Sequence, residues 1–280
     1  MNLLIKIFSL FLVNFIKIIN FFIKKDDNLF CNKIIEKLED QLYVKKNIFN
    51  TQINFYCPNK IIEWRVNNLL EKEPKTIEWI NNFNGDKIIF WDVGANIGTY
   101  SIYAALKHFG KIKINSFEPS TSNLRVLSRN ISINNYQNEI DIVQLPLFNK
   151  NLAFSSMNES RFLEGAALHS FSVDYNYKGE KFNINNKYNL IGTSIDFLLE
   201  NKVLSSPPNY IKIDVDGAEH LILDGAKKLL SSENKPLEIL IELHKEFEDQ
   251  YNKIFNIMKK YDYELINFYP GQIEYIFRSK

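Results

Sequence analysis

Beyond residue 86, apolar residues follow two alternating patterns along the chain. Short apolar runs rich in β-branched residues predict strands at 87–93, 111–117, 139–145, 210–215 and 237–243. Between these runs, helical spacing of apolar residues predicts helices that start near Gly98, Ser120, Thr193, Ala218 and Lys245. Such alternation is typical of an α/β fold, with a mostly parallel sheet and helices on both faces.

Three further segments complete the predicted architecture. Residues 28–82 carry apolar residues at roughly helical spacing, so we predict an N-terminal helical extension over 26–86. Alternating runs between 149 and 189 predict a β-hairpin inserted into the α/β pattern, and two runs around Pro270-Gly271 predict a final antiparallel pair. The predicted parts are a helix over 1–25, the extension over 26–86 and one α/β domain over 87–280.

Residues 1–25 form an apolar segment with a narrow polar stripe. The stripe residues are Asn2, Lys6, Ser9, Lys17, Asn20 and Lys24. Interior lysines are costly in a bilayer-spanning helix, and Ile23-Lys24-Lys25-Asp26 offers no small-residue cleavage site for a signal peptide. Three interpretations stay open: an interfacial helix on anionic lipid, a helix packed on the α/β domain or on another subunit of a homo-oligomer, and a membrane anchor.

Composition narrows the classes of partner. The chain has 34 Lys and Arg against 33 Asp and Glu, a net charge of +1, so no basic field predicts a nucleic-acid partner. Cys31 and Cys57 form no CxxC pair, which excludes a disulfide framework and a thiolate zinc site. We therefore predict a cytoplasmic protein, with the inner face of the membrane as an alternative location.

The glycine-rich turn after the first predicted strand is the strongest sign of a cofactor. The strand ends at Asp92 and breaks into Gly94, Asn96 and Gly98 before a helix, where a ligand could approach bare backbone near the positive helix end. A dinucleotide fingerprint, GxGxxG, needs glycines where Asn96 and Thr99 stand. An acid followed by GxNxG instead suits a cofactor whose charged amino acid part lies over the turn.

A second acid follows at the end of the next predicted strand. Glu118 in SFEPS is placed to accept hydrogen bonds from a ribose diol, whichever adenosine cofactor is present. The alternative interpretation is that Asp92 and Glu118 cap the helices that follow them.

These motifs carry a resemblance to a known family. FWDVGANIGTYS, SFEPS and IKIDVDGAEHLILDGA resemble the FkbM-type methyltransferases over residues 87–277, although the family commonly has Glu where this chain has Asp216. The resemblance implies a Rossmann-like class I methyltransferase fold with a seven-stranded sheet and an antiparallel last strand. It also implies O-methyl transfer from S-adenosylmethionine. The cofactor contacts that it implies are Asp92, Gly94, Asn96 and Gly98, with Glu118 on the ribose and the adenine near Leu147 and Phe148.

Acids and histidines at the ends of the later strands predict the chemistry. Asp214, Asp216, Glu219, Glu242 and His244 should open onto the same crevice as Gly94, with Asp214 also beside the cofactor. A hydroxyl acceptor needs a base, and His244 is preferred because imidazole titrates near neutral pH. Asp214 or Asp216 is the alternative base. No metal is predicted, although Asp214, Asp216 and Glu242 could hold Mg²⁺ through oxygen ligands. For Glu219, helix capping is an equal alternative.

The aromatic residues of the inserted segment suggest how an acceptor is covered. His169, Phe171, Tyr175 and Tyr177 could form a lid over a sugar ring, or could pack as an ordinary hairpin. The sequence thus predicts an S-adenosylmethionine-dependent O-methyltransferase acting on a small-molecule or glycan hydroxyl, in a glycan, nucleotide-sugar or lipid-linked saccharide. An NAD-dependent oxidoreductase and a non-catalytic scaffold of the same fold are the alternatives.

Overall fold

A computed structural model describes residues 2–23, 29–267, 269 and 271–280. The helices are α1 Asn2–Ile23, α2 Leu29–Glu39, α3 Lys60–Asn67, α4 Pro74–Asn81, α5 Thr99–Lys107, α6 Thr121–Ile133, α7 Ile195–Glu200, α8 Glu219–Asp224, α9 Lys227–Leu230 and α10 Glu248–Lys260. The strands are β1 Tyr43–Ile48, β2 Thr51–Tyr56, β3 Ile88–Val93, β4 Ile112–Phe117, β5 Ile140–Val143, β6 Ala153–Glu159, β7 His169–Phe171, β8 Asn186–Gly192, β9 Tyr210–Ile213, β10 Glu238–Glu242, β11 Tyr263–Leu265 and β12 Glu274–Ser279.

The central sheet has seven strands in the order β11-β12-β10-β9-β3-β4-β5. Strand β12 is antiparallel to both of its neighbours, and the other strands share one direction. Val93 at the end of β3 lies opposite Phe117 of β4 and Ile213 of β9, so three strand ends meet at one edge. The predicted fold, a mostly parallel seven-stranded sheet with an antiparallel last strand, is confirmed.

Alternation along the central strands divides the core into two layers. Ile88 and Phe90 of β3 point into one cluster with α5 and α6, whereas Trp91 and Val93 point into a second cluster with α8 and α10. Because side chains on a strand alternate between faces, a continuous apolar run such as β3 fits a sheet that is covered on both sides.

The helical interpretation of residues 28–82 is wrong for 43–56, where β1 and β2 form an antiparallel hairpin. Phe49 and Asn50 join the strands with positive φ angles of 50° and 60°, as a tight hairpin turn requires. Ile53 and Phe55 are buried in the same core cluster as the central sheet. Their period of two distinguishes this stretch from the helices α2, α3 and α4 around it. The division of the chain at residues 26 and 87 stays a prediction.

The inserted segment forms a three-stranded sheet in the order β7-β6-β8. The predicted hairpin is therefore present, and a third strand, Asn186–Gly192, extends beyond the predicted segment 149–189. Two irregular stretches connect these strands. We call residues 160–168 the roof loop and residues 172–185 the lid loop.

Helix α1 carries much exposed apolar surface. Leu3, Leu4, Phe8 and Phe21 are among its exposed residues, and Phe21 is 77% exposed. In the described part of the chain, no helix is both long and apolar enough to cross a membrane. The predicted stripe residue Lys24 and the Lys24-Lys25-Asp26 stretch lie outside the described residues, as does Pro270 of the predicted final turn.

Candidate functional site

A cavity opens where the ends of β3, β4 and β9 meet beneath the roof loop. The open space of the cavity, including the solvent at its mouth, is about 620 Å³. The turn after β3, the end of β4, the segment after β5, the inserted sheet and the end of β9 each contribute to its lining. Polar lining residues are Asn96, Glu118, Asn123, His169, Asp214 and Asp216. This is the crevice in which open parallel sheets bind ligands.

Gly94 and Gly98 shape the turn in different ways. A Cβ on Gly94 would lie 1.8 Å from the Asp214 carbonyl oxygen, so the glycine lets the turn after β3 touch the end of β9. A Cβ on Gly98 would lie 2.4 Å from Leu127 Cδ1 in α6. Both have φ above +80°, the left-handed region that glycine adopts most readily. Gly94 lines the cavity, whereas Gly98 packs against α6 and does not.

Asp92 lies below the turn and outside the cavity lining. Ser101 Oγ donates a 2.6 Å hydrogen bond to Asp92 Oδ2, and Oδ1 has no partner among the described residues. Burial raises the pKa of Asp92, and the charge of Lys212 only partly opposes that rise. Asp92 therefore ties β3 to α5, and the geometry does not support the predicted direct cofactor contact.

Phe148, like Asp92, is not placed for the direct cofactor contact that was predicted for it. Its ring packs edge-on against Phe171 with centroids 5.5 Å apart. The preceding residues Leu145, Pro146 and Leu147 line the cavity instead. The predicted adenine region is thus at the cavity, but Phe148 supports its wall.

Glu118 presents its carboxyl group to the cavity from the end of β4. Asn96 N donates to Oε2 at 2.7 Å and Ser120 N to Oε1 at 2.8 Å, so the acid also holds the start of α6. Burial raises the pKa of Glu118 to about 8. Beside it, Asn96 Oδ1 is buried and without a partner in the described part of the chain. Both groups can take hydrogen bonds from a polar ligand.

Two of the predicted site residues hold the roof loop over the cavity. Asn96 Nδ2 donates to Ala166 O at 2.9 Å, and Asp216 Oδ2 accepts from Leu168 N at 2.7 Å. Burial raises the pKa of Asp216 to about 6. Asp216 therefore positions the inserted segment, which places it poorly for the predicted roles of base or metal ligand.

His169 follows the roof loop and lines the cavity from β7. Its side chain is 7% exposed, and Nδ1 lies 3.8 Å from Oε1 of the buried Glu159. Neither ring nitrogen has a hydrogen-bond partner among the described residues. Burial lowers the pKa of His169, so the ring is kept neutral. Such a ring offers one donor and one acceptor to a ligand.

An acidic cluster borders the cavity at Asp214. Carboxylate oxygens of Glu73, Asp214 and Glu242 lie within 4.8 Å of one another, and the buried Lys212 Nζ lies 2.7 Å from Asp214 Oδ2. Burial acts to raise the pKa of Asp214, but the charge of Lys212 outweighs it and the pKa is lowered.

This cluster differs from the set Asp214, Asp216 and Glu242 that was given as the alternative to a site without metal. Asp216 is not one of the clustered groups, and Glu73 from the start of α4 takes that place. Lys212 already supplies a buried positive charge to these acids. No sequence motif pointed to Glu73, because Glu73-Pro74 is only a helix-start signal.

His244 lies beside this cluster and under the lid loop. Its Nε2 is 3.2 Å from Glu242 Oε1, and the Tyr177 ring lies 4.3 Å from the imidazole, centroid to centroid. Burial acts to lower the pKa of His244, but the hydrogen bond and charge of Glu242 outweigh it and raise the pKa. Burial and the charge of Asp214 raise the pKa of Glu242 to about 7. The two side chains thus form a hydrogen-bonded pair beside Asp214.

Close packing fixes the lid loop over the ends of β9 and β10. A Cβ on Gly179 would lie 2.9 Å from the Phe247 ring, and one on Gly217 would lie 2.6 Å from Asn176 O. Tyr175 packs edge-on against Phe247, with ring centroids 5.4 Å apart.

Glu219 serves the capping role that the sequence left open. Its Oε1 accepts hydrogen bonds from Val215 N at 3.2 Å and Gly217 N at 3.1 Å. The side chain therefore closes the turn that precedes α8 and does not face the cavity.

Comparison with known proteins gives a family match and several similar solved structures. A family model described as the methyltransferase FkbM domain matches residues 92–265, more than half of the chain. The solved methyltransferase FkbM from Methylobacillus flagellatus KT is similar with a TM-score of 0.46 and 20% identity, over 77% of this chain and 53% of that one. This chain thus spans about half the length of that protein. No curated protein matched.

Two other solved structures are similar at lower identity. A precorrin-6y C5,15-methyltransferase from Geobacter metallireducens GS-15 is 12% identical with a TM-score of 0.42, over 75% of this chain and 88% of that one. M. jannaschii TYW2, solved in complex with AdoMet, is 10% identical with a TM-score of 0.40, over 84% of this chain and 83% of that one.

Proposed function

Because the chain belongs to the FkbM methyltransferase family, we propose that it transfers a methyl group from S-adenosylmethionine to a hydroxyl group of a glycan, a nucleotide-sugar or a lipid-linked saccharide. The observation that carries this proposal is the junction of two sites at Asp214. On one side lies the cavity under the roof loop, and on the other lies the His244–Glu242 pair under the lid loop.

The cavity suits S-adenosylmethionine in its polar and apolar parts. Glu118 would accept hydrogen bonds from the ribose, and the apolar wall at Pro146, Leu147 and Ile222 would hold the adenine. The unpartnered Asn96 Oδ1 and His169 nitrogens offer further hydrogen bonds to the nucleoside. When bound, the cofactor supplies a methyl group on a positively charged sulfur.

His244 is the base that the geometry favours. With Nε2 donating to Glu242, the neutral ring keeps its lone pair on Nδ1, which would take the proton from the acceptor hydroxyl. Asp214 is a weaker base because Lys212 holds its pKa down. Asp216 is already engaged by amides of the inserted segment. The roles of His244 and Glu242 are therefore base and orienting partner.

The lid loop supports a sugar-like acceptor. Tyr175 and Tyr177 offer aromatic faces beside the acids at the ends of β9 and β10. Aromatic faces with hydrogen-bonding groups around them suit the apolar faces and hydroxyl rims of sugar rings.

A methyl-transfer assay tests the proposal. The full chain is incubated with S-adenosylmethionine labelled in the methyl group and with a panel of saccharides, nucleotide-sugars and lipid-linked saccharides. We expect label in an ether on one acceptor class, and H244A should lower kcat by about 100-fold or more with cofactor affinity kept. Label on an amine, or full turnover by H244A, would contradict the proposed acceptor or the proposed base, respectively.

A further inference from the structure

Arg65 in the N-terminal extension lies next to the cofactor cavity. It belongs to α3 and is half-buried, and its Nε donates a 2.8 Å hydrogen bond to Gly165 O in the roof loop. The next residue along the loop, Ala166, lines the cavity. Arg65 thus contacts the loop that covers the cavity, and it does so from outside the residues that the family model matches, 92–265.

Close contacts lock α3 to the roof loop. Gly165 has a φ of +75°, and a Cβ there would lie 2.5 Å from Ile62 Cγ1 of α3. At the start of the same helix, Asn59 Nδ2 donates to Glu164 O at 3.0 Å. The position of Arg65 relative to the cavity is therefore fixed by packing as well as by its own hydrogen bond.

The positive charge of Arg65 shifts the pKa values of three groups that line the cavity. Burial raises the pKa of Asp216 and acts to raise that of Asp214, and the positive charge of Arg65 opposes burial at both carboxyl groups. The same charge adds to burial in lowering the pKa of His169. All three of these groups line the cavity.

Arg65 differs from the other cations near the site. Lys212 is paired with Asp214, and Lys72 is paired with Glu73. Within the part of the chain that the structure describes, the Arg65 guanidinium has its bond to Gly165 O and no carboxylate partner. It can therefore still take a bidentate anion, the geometry that a guanidinium fork offers.

We propose that Arg65 binds the carboxylate of the methionine part of S-adenosylmethionine, opposite Asp214, which takes its ammonium group. This inference rests on the proposed function because it takes that cofactor as the ligand. A zwitterion needs charges of both signs, and the lining acids Asp214 and Asp216 would repel a carboxylate that had no cation beside it. The extension then contributes a cofactor-binding residue to the α/β domain.

Calorimetric titration of the full chain with S-adenosylmethionine and with its decarboxylated analogue tests this role. Arg65→Gln removes the charge but keeps a donor for Gly165 O. We expect it to weaken S-adenosylmethionine binding by about 10- to 100-fold and to change the affinity for the decarboxylated analogue less than about threefold. The matched control is Arg125→Gln, because Arg125 pairs with Glu164 of the same loop at 3.0 Å and is exposed. This control should leave both affinities unchanged.

The outcomes separate the inference from the proposed function. If wild-type protein binds no S-adenosylmethionine, the proposed function itself fails. If wild-type protein binds both ligands equally, the carboxylate adds nothing to binding and the inference is overturned. If Arg65→Gln weakens both ligands equally, Arg65 acts only through the roof loop and the inference is also overturned. Should Arg65→Gln not fold, Arg65→Lys keeps the charge without the fork. It should then weaken S-adenosylmethionine binding alone, and an unchanged affinity would overturn the inference.

Discussion

Gly94 marks the point where the turn after β3 meets the end of β9, and this contact leaves no room for a side chain. Three glycines with positive φ differ only in what an added Cβ would meet: the Asp214 backbone for Gly94, a leucine methyl for Gly98 and open space for Gly110. This series separates backbone strain from collision.

Substituting alanine at each of these glycines should rank their contributions to stability. We expect losses in the free energy of unfolding of about 1–2 kcal/mol for G110A, from strain alone. G98A should cost about 2–4 kcal/mol because Leu127 can shift, and G94A about 4 kcal/mol or more because a backbone must move. Urea unfolding measures the free energy of unfolding of all three variants. Equal losses would mean that the close approach of β3 and β9 is not what requires glycine.

The His244–Glu242 pair predicts the pH dependence of turnover. A base must be deprotonated, so the rate should rise with pH through the pKa of His244, which the hydrogen bond and charge of Glu242 raise against burial. Glu242→Gln removes the charge and should move this acidic limb to lower pH. Glu246→Gln is the control, because Glu246 acts on His244 by charge alone and more weakly. The acidic limb of the pH–rate profile should move less in Glu246→Gln than in Glu242→Gln. A limb that stays or moves upward in Glu242→Gln would exclude His244 as the base.

Residue types could be predicted from sequence at this site, but their partners could not. Asn96 and Asp216 were singled out from local motifs, whereas their bonds go to Ala166 and Leu168, 70 and 48 positions away. The roof loop carries no motif of its own. Its atoms reach the cavity only because the inserted sheet folds back over the strand ends, which no local pattern specifies.

At the scale of elements, the strands of the central sheet were predictable because each is a short run rich in apolar residues near turn signals. The hairpin β1–β2 was not, because its first strand is half polar, with Lys45, Lys46 and Asn47 in sequence. Only the second strand, β2, alternates clearly between polar and apolar residues. The hairpin is stabilised by distant groups, as when Asn130 Oδ1 accepts from Tyr56 N at 2.8 Å.

Truncation should distinguish α1 from the rest of the extension. Deleting residues 2–25 removes helix α1 with its exposed apolar residues, so the Tm should change by no more than about 2 °C. Deleting residues 2–86 should abolish cooperative unfolding, because Phe83 stacks on Tyr210 with ring centroids 3.9 Å apart and Ile53, Phe55 and Ile62 are buried in the sheet's own core. Scanning calorimetry measures the Tm and the cooperativity of unfolding for both variants. A stable protein lacking 2–86 would show that the extension is a separate unit.

The same short truncation tests the membrane interpretation of α1. The helix combines exposed apolar residues with Lys6 and Lys17 and no acid between residues 2 and 23. We expect full-length protein to sediment with anionic vesicles and the 2–25 deletion to stay in the supernatant. If both partition alike, helix α1 does not bind lipid, and packing on another subunit becomes the better explanation.

At the scale of the whole molecule, three parts of the chain meet at one cavity. The central sheet supplies Gly94, Glu118 and Asp214, the inserted segment supplies the roof loop, and the extension fastens that loop through α3. The central sheet could be predicted from sequence, since its strands follow a local pattern. The convergence of the other two parts depends on contacts such as Asn59 with Glu164, 105 positions apart.

The most direct test of this account is calorimetric titration of the full-length protein with S-adenosylmethionine. We predict one site per chain, with a dissociation constant on the order of micromolar. Glu118→Gln should bind about tenfold more weakly, because an NH₂ group replaces one of the two carboxyl oxygens that can accept a hydrogen bond from the ribose. NADH, added to the same sample, should not compete with S-adenosylmethionine for the site. Absence of binding by wild-type protein, or binding that Glu118→Gln leaves unchanged, would contradict the assignment of this cavity to the methyl donor.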